Sequence, residues 1–216
     1  VPVRYRGYWY AARFVSGGQY PVIVRWADEP QAREVVLLDG NALAVGHPFL
    51  QLASYEASPD NKLLAYAEDT VGRRQFRIRC KDIVTGELLG DVIENVEPDV
   101  AWADDNRTLL YVEKDPVTLL GRRVRRHTLG ADPAKDPIVY EEQDEAFDLT
   151  VTRSKSEQLL LIDAESTTSS EWRYASVADP TFRFGIFAAR CADHEYQLDH
   201  LDDTFVVRTN WQAQNF

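Results

Sequence analysis

The sequence contains no methionine and only two cysteines among its 216 residues. Cys80 and Cys191 stand far apart, without the spacing of a metal site or of a redox motif. A disulfide between them is one alternative. Two free thiols in a reducing compartment are the prediction, because lone cysteines are typical of intracellular chains.

Long hydrophobic runs are also missing. No apolar stretch approaches the ~20 residues of a membrane-spanning helix, and the chain does not open with a signal peptide. The sequence therefore predicts a cytoplasmic protein without a membrane partner. The absence of an initiator methionine, with strand-like residues almost directly after Val1, leads us to expect a piece of a longer polypeptide.

Positive charge is scarce relative to negative charge. There are 24 lysines and arginines against 35 aspartates and glutamates, which gives a net charge of -11. This balance argues against a nucleic acid as partner and mildly favours a cationic one, although an ordinary acidic surface gives the same count. Apolar residues make up 44% of the chain, so it is globular and long enough for a substantial core.

Catalytic motifs are absent as well. No Gly-x-Ser-x-Gly, Gly-x-Gly-x-x-Gly or phosphate-binding loop occurs. The four histidines are His47, His127, His194 and His200. His194 and His200 are six residues apart, which on a strand separates them by about 20 Å. The sequence predicts no catalytic residue, no metal site and no cofactor, and the histidines are interpreted as structural.

Short strands are what the sequence does contain. Phe147, Leu149 and Val151 alternate with polar residues, which predicts a strand with one buried face. After a polar turn, residues 159–162 form a continuous apolar run, which predicts a strand buried on both faces. Another polar break precedes a third strand at residues 171–174. This order is that of an antiparallel meander.

The same strand–turn–strand unit returns about every 47 residues. Its turn residues recur at intervals of 45, 50 and 46 positions, at Asn61, Asn106, Ser156 and Asp202. The strand that follows each turn carries, at the same offset, Leu64, Leu109, Leu159 and Phe205. Further along, residues 48 positions apart are Phe76, Val124 and Trp172. A β-sandwich also has frequent turns, but only a β-propeller predicts the unit returning in register.

The predicted fold is therefore all-β, an open partial β-propeller of four-stranded antiparallel blades. Three complete units are predicted, flanked by two partial ones, at 4–39 (partial), 50–95, 98–142, 147–192 and 195–216 (partial). A run that starts and stops inside a blade leaves unpaired edge strands. Either further blades lie outside this sequence or another copy of the chain covers the edges, so we expect self-association.

Charged clusters lie where blade loops are predicted. The carboxylate clusters, interpreted as solvated turns, are Glu141-Glu142, Asp144-Glu145 and Asp202-Asp203. Arg73-Arg74 and Arg122-Arg123 are predicted in equivalent loops of successive units, as solvated or ion-paired side chains rather than ligand contacts. The residues alone thus indicate a binding or gating scaffold.

Short motifs spread over nearly the whole chain carry a family resemblance. In order they include Leu38-Asp39-Gly40-Asn41, Ser58-Pro59-Asp60-Asn61, Ala67-Glu68-Asp69 with Arg73-Arg74-Gln75-Phe76, Asn95-Val96-Glu97-Pro98, Lys114-Asp115-Pro116-Val117-Thr118-Leu119, Tyr140-Glu141-Glu142, Thr167-Thr168-Ser169-Ser170-Glu171, Asp193-His194-Glu195-Tyr196 and Arg208-Thr209-Asn210. In this set and order they resemble the propeller domain of the oligopeptidase B branch of the prolyl oligopeptidase family of serine peptidases.

The resemblance implies a seven-bladed propeller that caps an α/β-hydrolase domain. In that family the cap excludes folded proteins and admits peptides to a Ser-Asp-His triad, and the oligopeptidase B branch cleaves after Lys or Arg. The implied partners are basic oligopeptides and the chain's own hydrolase domain. None of the triad lies in this sequence, so no catalytic residue carries over.

One site residue carries over, Glu97. It matches a propeller position that faces the active site in related prolyl oligopeptidases, where the residue is aromatic. A carboxylate there suits a cationic peptide or an arginine of the hydrolase domain. The alternative is a surface glutamate at the start of a strand.

Three functions remain open. The first is the gating part of a peptidase that cleaves after Lys or Arg, and the second is a stand-alone propeller that binds protein partners. The third is a relative with prolyl or dipeptidyl peptidase specificity, against which the residues 95–98 and 167–171 argue. A Gly-x-Ser-x-Gly encoded after Phe216 would favour a peptidase.

Overall fold

The computed structural model describes residues 1–213, and antiparallel strands dominate it. The first unit is a four-stranded sheet in the order β1 (Val3–Tyr5), β2 (Tyr8–Arg13), β3 (Val22–Ala27) and β4 (Val35–Asp39). The short helix α1 (Gly40–Leu43) follows, and Asp39 caps it by accepting hydrogen bonds from the backbone N–H groups of Asn41 and Ala42. The unit predicted as partial at 4–39 therefore has four strands, of which β1 is the shortest.

The second and third units share one strand. The second unit comprises β5 (Gln51–Ala57), β6 (Leu63–Asp69), β7 (Phe76–Asp82) and the first part of β8 (Leu88–Trp102). The third comprises the rest of β8, then β9 (Thr108–Lys114), β10 (Gly121–Thr128) and β11 (Ile138–Glu141), with a 3-10 turn at Pro133–Lys135 before β11. The pairing of β8 with β9 is interrupted between Val96 and Val100, where the strand passes from one unit to the next.

The fourth unit is again a four-stranded sheet. Its strands are β12 (Asp148–Arg153), β13 (Leu159–Glu165), β14 (Ser170–Ser176) and β15 (Gly185–Ile186). The fifth unit is a two-stranded sheet of β16 (Tyr196–Leu201) and β17 (Thr204–Thr209). The unit predicted at 195–216 therefore includes residues 214–216, which lie outside the described part of the chain.

In the described residues 1–213, four apolar cores lie between successive units and hold them face to face. In chain order the cores are represented by Tyr10 with Tyr66, by Ile78 with Trp102, by Leu110 with Ile162, and by Leu161 with Leu198. Each middle unit thus packs against two neighbours, whereas a β-sandwich has one core between two sheets. The partial propeller of four-stranded antiparallel blades predicted from the repeat is confirmed.

Burial along the fourth unit follows the predicted pattern. Leu149 and Val151 of β12 are buried and alternate with exposed residues, and Phe147 is buried just before the strand. In β13, Leu160, Leu161 and Ile162 are all at most 1% exposed, so the strand is covered on both faces. Leu159 is only partly buried.

The turns that join the first and second strands share a left-handed residue. Asn61, Asn106, Glu157 and Asp202 all have φ between 51 and 64°, at intervals of 45, 51 and 45 positions. The prediction that Ser156 is equivalent to Asn61 is therefore wrong by one residue, because Glu157 takes that place. The prediction that Leu159 is equivalent to Leu64 is wrong by the same shift, because Leu160 takes that place. Glutamate adopts φ > 0 less readily than asparagine does, so the residue type did not mark Glu157 as the turn residue. These turns define the turn face of the arc.

Candidate functional site

The first strands of neighbouring units lie side by side along the centre of the arc. Trp102 of β8 donates its indole N–H to the backbone carbonyl of Glu56 in β5 at 3.0 Å. Arg153 of β12 donates to the carbonyl of Trp102 at 2.9 Å. The three strands therefore run in the same direction. Their starting ends define a second face, the strand-start face, opposite the turn face.

A cavity of about 420 Å³ opens on the strand-start face, where the second, third and fourth units meet. Its charged lining residues are Arg73, Arg74, Glu97, Asp99, Lys114 and Asp148. The apolar part of its wall includes Leu119, Leu120 and Leu149. The predicted site residue Glu97 is thus placed in a cavity rather than on an open surface.

Glu97 already has cationic neighbours within the chain. Its Oε1 lies 3.2 Å from Nζ of Lys114, which is 6% exposed, and its Oε2 lies 4.0 Å from the guanidinium of Arg74. The Arg74 side chain is 78% exposed, so it is free to swing away, whereas Lys114 is fixed by donating to the carbonyl of Arg74 at 3.0 Å. One carboxylate oxygen of Glu97 is therefore available to an incoming cation.

Gly121, at the start of β10, permits this close packing. A Cβ at position 121 would lie 2.9 Å from Cγ1 of Val112 and 3.2 Å from Cγ of Glu97. Both distances are shorter than ordinary contacts, so any side chain here would displace the glutamate. Glycine thereby fixes the position of Glu97 against β9 and β10.

Two further carboxylates in the cavity were not predicted. Asp99 is partly buried, and burial first and the charge of Glu97 second raise its pKa. Asp148, at the start of β12, is exposed. Within residues 1–213 neither carboxylate forms an ion pair, so both are open to a cation from outside the chain. Their spacing of 49 residues carries no motif, and only the fold brings them together.

Within residues 1–213, the side chains of His127, His194 and His200 make structural contacts. Both ring nitrogens of the buried His127 lie against carboxylates, Nδ1 at 3.0 Å from Asp136 and Nε2 at 2.9 Å from Asp91. His200 bonds to the hydroxyl of Ser156 at 2.7 Å and His194 to that of Thr209 at 3.0 Å. His47 is exposed. Residues 1–213 contain no group of three or more His, Cys, Asp or Glu side chains able to hold a metal ion.

The paired arginines do not lie in equivalent places. Arg73 and Arg74 occupy the loop between β6 and β7, but Arg122 and Arg123 lie within β10, so the predicted loop position of the second pair is wrong. The true equivalence is between Asp69 and Asp115, whose carboxylates cap the turns after β6 and β9. Arg123 pairs with Glu141 at 2.8 Å.

The carboxylate clusters separate into solvated and buried members. Asp144, Glu145, Asp202 and Asp203 are exposed in turns, as predicted. Glu142, however, is only 4% exposed and pairs with Arg190 at 2.7 Å, so the solvated assignment is wrong for it. Arg190 also lies 3.5 Å from the buried Glu171 and 3.9 Å above the ring of Phe147. This network joins the third and fourth units.

The two cysteines are unpaired, Cys80 buried and Cys191 exposed. Burial raises the pKa of the Cys80 thiol to about 12, so it is unreactive at neutral pH. None of the helices in residues 1–213 is long and apolar enough to cross a membrane.

A model of the N-terminal β-propeller domain of prolyl oligopeptidases matches residues 1–216. The chain belongs to the prolyl oligopeptidase family. The resemblance found in its motifs is confirmed, and the partial propeller is the part of a family member that this chain represents.

Relatives in this family are peptidases. Dipeptidyl aminopeptidase BI of Pseudoxanthomonas mexicana is 48% identical over 232 residues, and Protease 2 of Moraxella lacunata is 30% identical over 227 residues. Both alignments cover the whole chain and 32% of the relative, so the chain spans about a third of the length of these curated relatives.

The fold of this prolyl oligopeptidase family member matches a solved structure. Oligopeptidase B from Leishmania major superposes with a TM-score of 0.89 at 26% sequence identity. The superposition covers 97% of this chain and 30% of that chain.

Proposed function

We propose that this chain is the substrate-gating propeller of a serine oligopeptidase that hydrolyses short peptides after Lys or Arg. The nucleophilic serine belongs to a hydrolase domain elsewhere in the full-length protein, and this chain supplies no catalytic residue. The observation that carries the proposal is the strand-start cavity, with carboxylates of Glu97, Asp99 and Asp148 around it.

Electrostatics supports a basic peptide as the substrate. Asp99 is held away from water without a cation, which raises the free energy of its ionised form. A lysine or arginine side chain of a peptide would relieve that cost at Asp99 and would find Asp148 beside it. The same carboxylates would suit an arginine of the hydrolase domain, so closure of the two domains and substrate binding compete for one surface.

The second candidate is a dipeptidyl aminopeptidase, favoured by the name of the relative at 48% identity. Here the cation that the cavity receives is the free N-terminal ammonium group of the peptide. Both candidates use the same carboxylates, and they differ in whether a blocked N-terminus abolishes cleavage.

The full-length protein distinguishes them with four matched peptides. Each peptide carries Arg or the neutral norleucine at the cleaved position and a free or an acetylated N-terminus. We expect cleavage after Arg with kcat/KM equal within a few-fold for free and acetylated peptides, and little cleavage after norleucine. Release of dipeptides from free N-termini alone would support the second candidate.

Gating is tested with one cleavage sequence placed in a short peptide and in a loop of a stable folded protein. We expect only the peptide to be hydrolysed. A reading frame without Gly-x-Ser-x-Gly after Phe216, together with no hydrolysis, would contradict both peptidase candidates and favour a stand-alone scaffold. The cytoplasmic location stays a prediction.

A further inference from the structure

A second cavity, of about 430 Å³, opens on the turn face at the other end of the first strands. The first four units all contribute to its wall, which includes Tyr5, Tyr10, Glu56, Val100, Trp102 and Arg153. Its volume is that of a site for a small organic molecule. Glu97 does not line it, so the peptidase proposal does not account for it.

Two polar groups of this cavity have no partner within residues 1–213. The Tyr10 side chain is 8% exposed, and its hydroxyl is buried without a hydrogen bond. The carboxylate of Glu56 makes no hydrogen bond and no ion pair. A buried hydroxyl without a partner is costly, and the half-buried, unpaired carboxylate of Glu56 lines the same cavity, so the two groups together indicate a ligand that satisfies both.

The charges around the cavity favour a single positive charge. Arg6 and Arg153 share the carboxylate of Glu157, and Arg153 also pairs with Asp104. These two cations and two anions balance, and the nearby exposed pairs Arg4 with Asp28 and Lys155 with Asp199 balance as well. Among the charged residues of the cavity wall, the negative charge of Glu56 is the one that no cation balances.

The wall around Glu56 is aromatic. Tyr5 and Tyr10 lie with ring centroids 6.5 Å apart, and Tyr55 and the buried Trp102 complete the lining. Aromatic faces attract organic cations and bury their apolar parts. Burial raises the pKa of Glu56 to about 7, against the charge of Arg6 and together with that of Glu157. A bound cation would favour the ionised carboxylate.

We propose that the turn-face cavity binds a small aralkylammonium ion, with the ammonium group between Glu56 and the hydroxyl of Tyr10 and the apolar body against the aromatic wall. The ammonium donates to the carboxylate and to the tyrosine oxygen. The remaining titratable groups that line the cavity with Glu56 are Arg4, Tyr5 and Arg6 of the first unit, Tyr55 of its own strand, and Arg153, Lys155 and Glu157 of the fourth unit.

Calorimetric titration of the full-length protein with 2-phenylethylammonium tests the proposal, and 2-phenylethanol serves as the neutral probe of the same shape. We expect saturable binding of the amine. The alcohol should bind at least about tenfold more weakly than the amine, because it lacks the charge-assisted hydrogen bond. Glu56→Gln should weaken binding of the amine about tenfold and Tyr10→Phe a few-fold. Glu87→Gln, at an exposed turn, is the matched control and should change nothing.

The pH dependence is the second readout. Affinity should rise as the pH passes upward through about 7 and the carboxylate ionises, and this step should vanish in Glu56→Gln. Equal binding of amine and alcohol, unchanged binding by Glu56→Gln, or no saturable binding of the amine would overturn the proposal. Peptidase activity is measured separately, because failure at this cavity leaves the strand-start cavity untouched.

Discussion

Arg6 and Glu157 lie 151 positions apart in sequence, and their side chains form an ion pair with Nε 2.9 Å from Oε2. Arg6 follows β1 in the first unit, and Glu157 lies in the turn after β12 in the fourth. Arg6 also donates to the carbonyl of Ala57 in the second unit at 2.8 Å. This contact joins the turn faces of units that are not neighbours in the sequence.

Breaking this pair should destabilise the arc. The Arg6 side chain is 11% exposed, so its truncation removes a partly buried charged hydrogen bond and one of the two arginines that pair with Glu157. We expect Arg6→Ala to lower the free energy of unfolding by about 1–3 kcal/mol, measured by urea denaturation. Lys135→Ala, which removes an exposed pair with Asp132, is the control and should cost less than about 0.5 kcal/mol. Equal effects of the two variants would contradict a stabilising role.

If the proposed function holds, Glu97→Ala in the full-length protein should weaken the handling of basic peptides or the closure of the propeller on the hydrolase domain. The single change also leaves the buried Lys114 without its carboxylate partner. The double variant Glu97→Gln/Lys114→Met removes both charges while keeping side chains of similar size, so it separates the effect of charge from that of packing. We expect kcat/KM for Arg peptides to fall about tenfold, with a smaller effect on neutral peptides. Unchanged kcat/KM and unchanged closure would remove Glu97 from the site.

Acid should weaken the contact between the third and fourth units. Burial opposes ionisation of Glu142, but hydrogen bonds from Arg190 and Tyr140 outweigh it and lower its pKa to about 2. The stabilisation is therefore present above the usual pKa of a glutamate and is lost as the pH falls towards 2. Glu142→Gln should lower the free energy of unfolding by roughly 2–3 kcal/mol at pH 7 and by progressively less below pH 4. The exposed Glu145→Gln should show no such trend.

Asp163 in β13 should make the protein less stable as the pH rises, whereas Glu142 makes it less stable as the pH falls. Burial, and then the charge of Glu165, raise its pKa to about 7, and its Oδ1 is buried without a hydrogen bond. Since the folded state holds the proton more tightly, stability is complete at low pH and declines as the pH rises through about 7. Asp163→Asn should stabilise the protein by roughly 1–3 kcal/mol at pH 8 and flatten this decline. Asp203→Asn, at an exposed turn, is the control and should leave the dependence of stability on pH unchanged. The same unchanged dependence for Asp163→Asn would contradict the raised pKa of Asp163.

The isolated 216-residue chain should self-associate. Within residues 1–213, β17 pairs with β16 alone, and its Val206 and Val207 are 47% and 39% exposed. An unpaired edge with exposed apolar residues favours strand addition from another copy. We expect particles larger than a monomer by light scattering at tens of micromolar, reduced by Val206→Lys. A monomer under those conditions would count against edge pairing.

The repeat made the fold accessible from sequence, because buried strands and their turns leave local patterns. The apolar run ending at Ile162 and the turn residues Asn61 and Asn106 are examples. β1 was missed because three residues carry too little periodicity. The left-handed position of Glu157 was missed because residue type does not mark it, and its ion pair with Arg6 of the first unit leaves no local pattern.

The site was only partly accessible from sequence. Glu97 came from the family resemblance, and no local pattern joins it to Lys114 or places Asp99 and Asp148 in the same cavity. Glu142 was interpreted as solvated because its partner Arg190 lies 48 residues away. Pairings between units depend on how the sheets pack, which the order of residues within one unit does not encode.

The strand β8 passes from the second unit into the third without a loop between them. Here the border between the two units is a single continuous strand, so a break in the backbone at this point would remove a pairing strand from both sheets at once. We therefore expect these two units to lose their sheet pairing together.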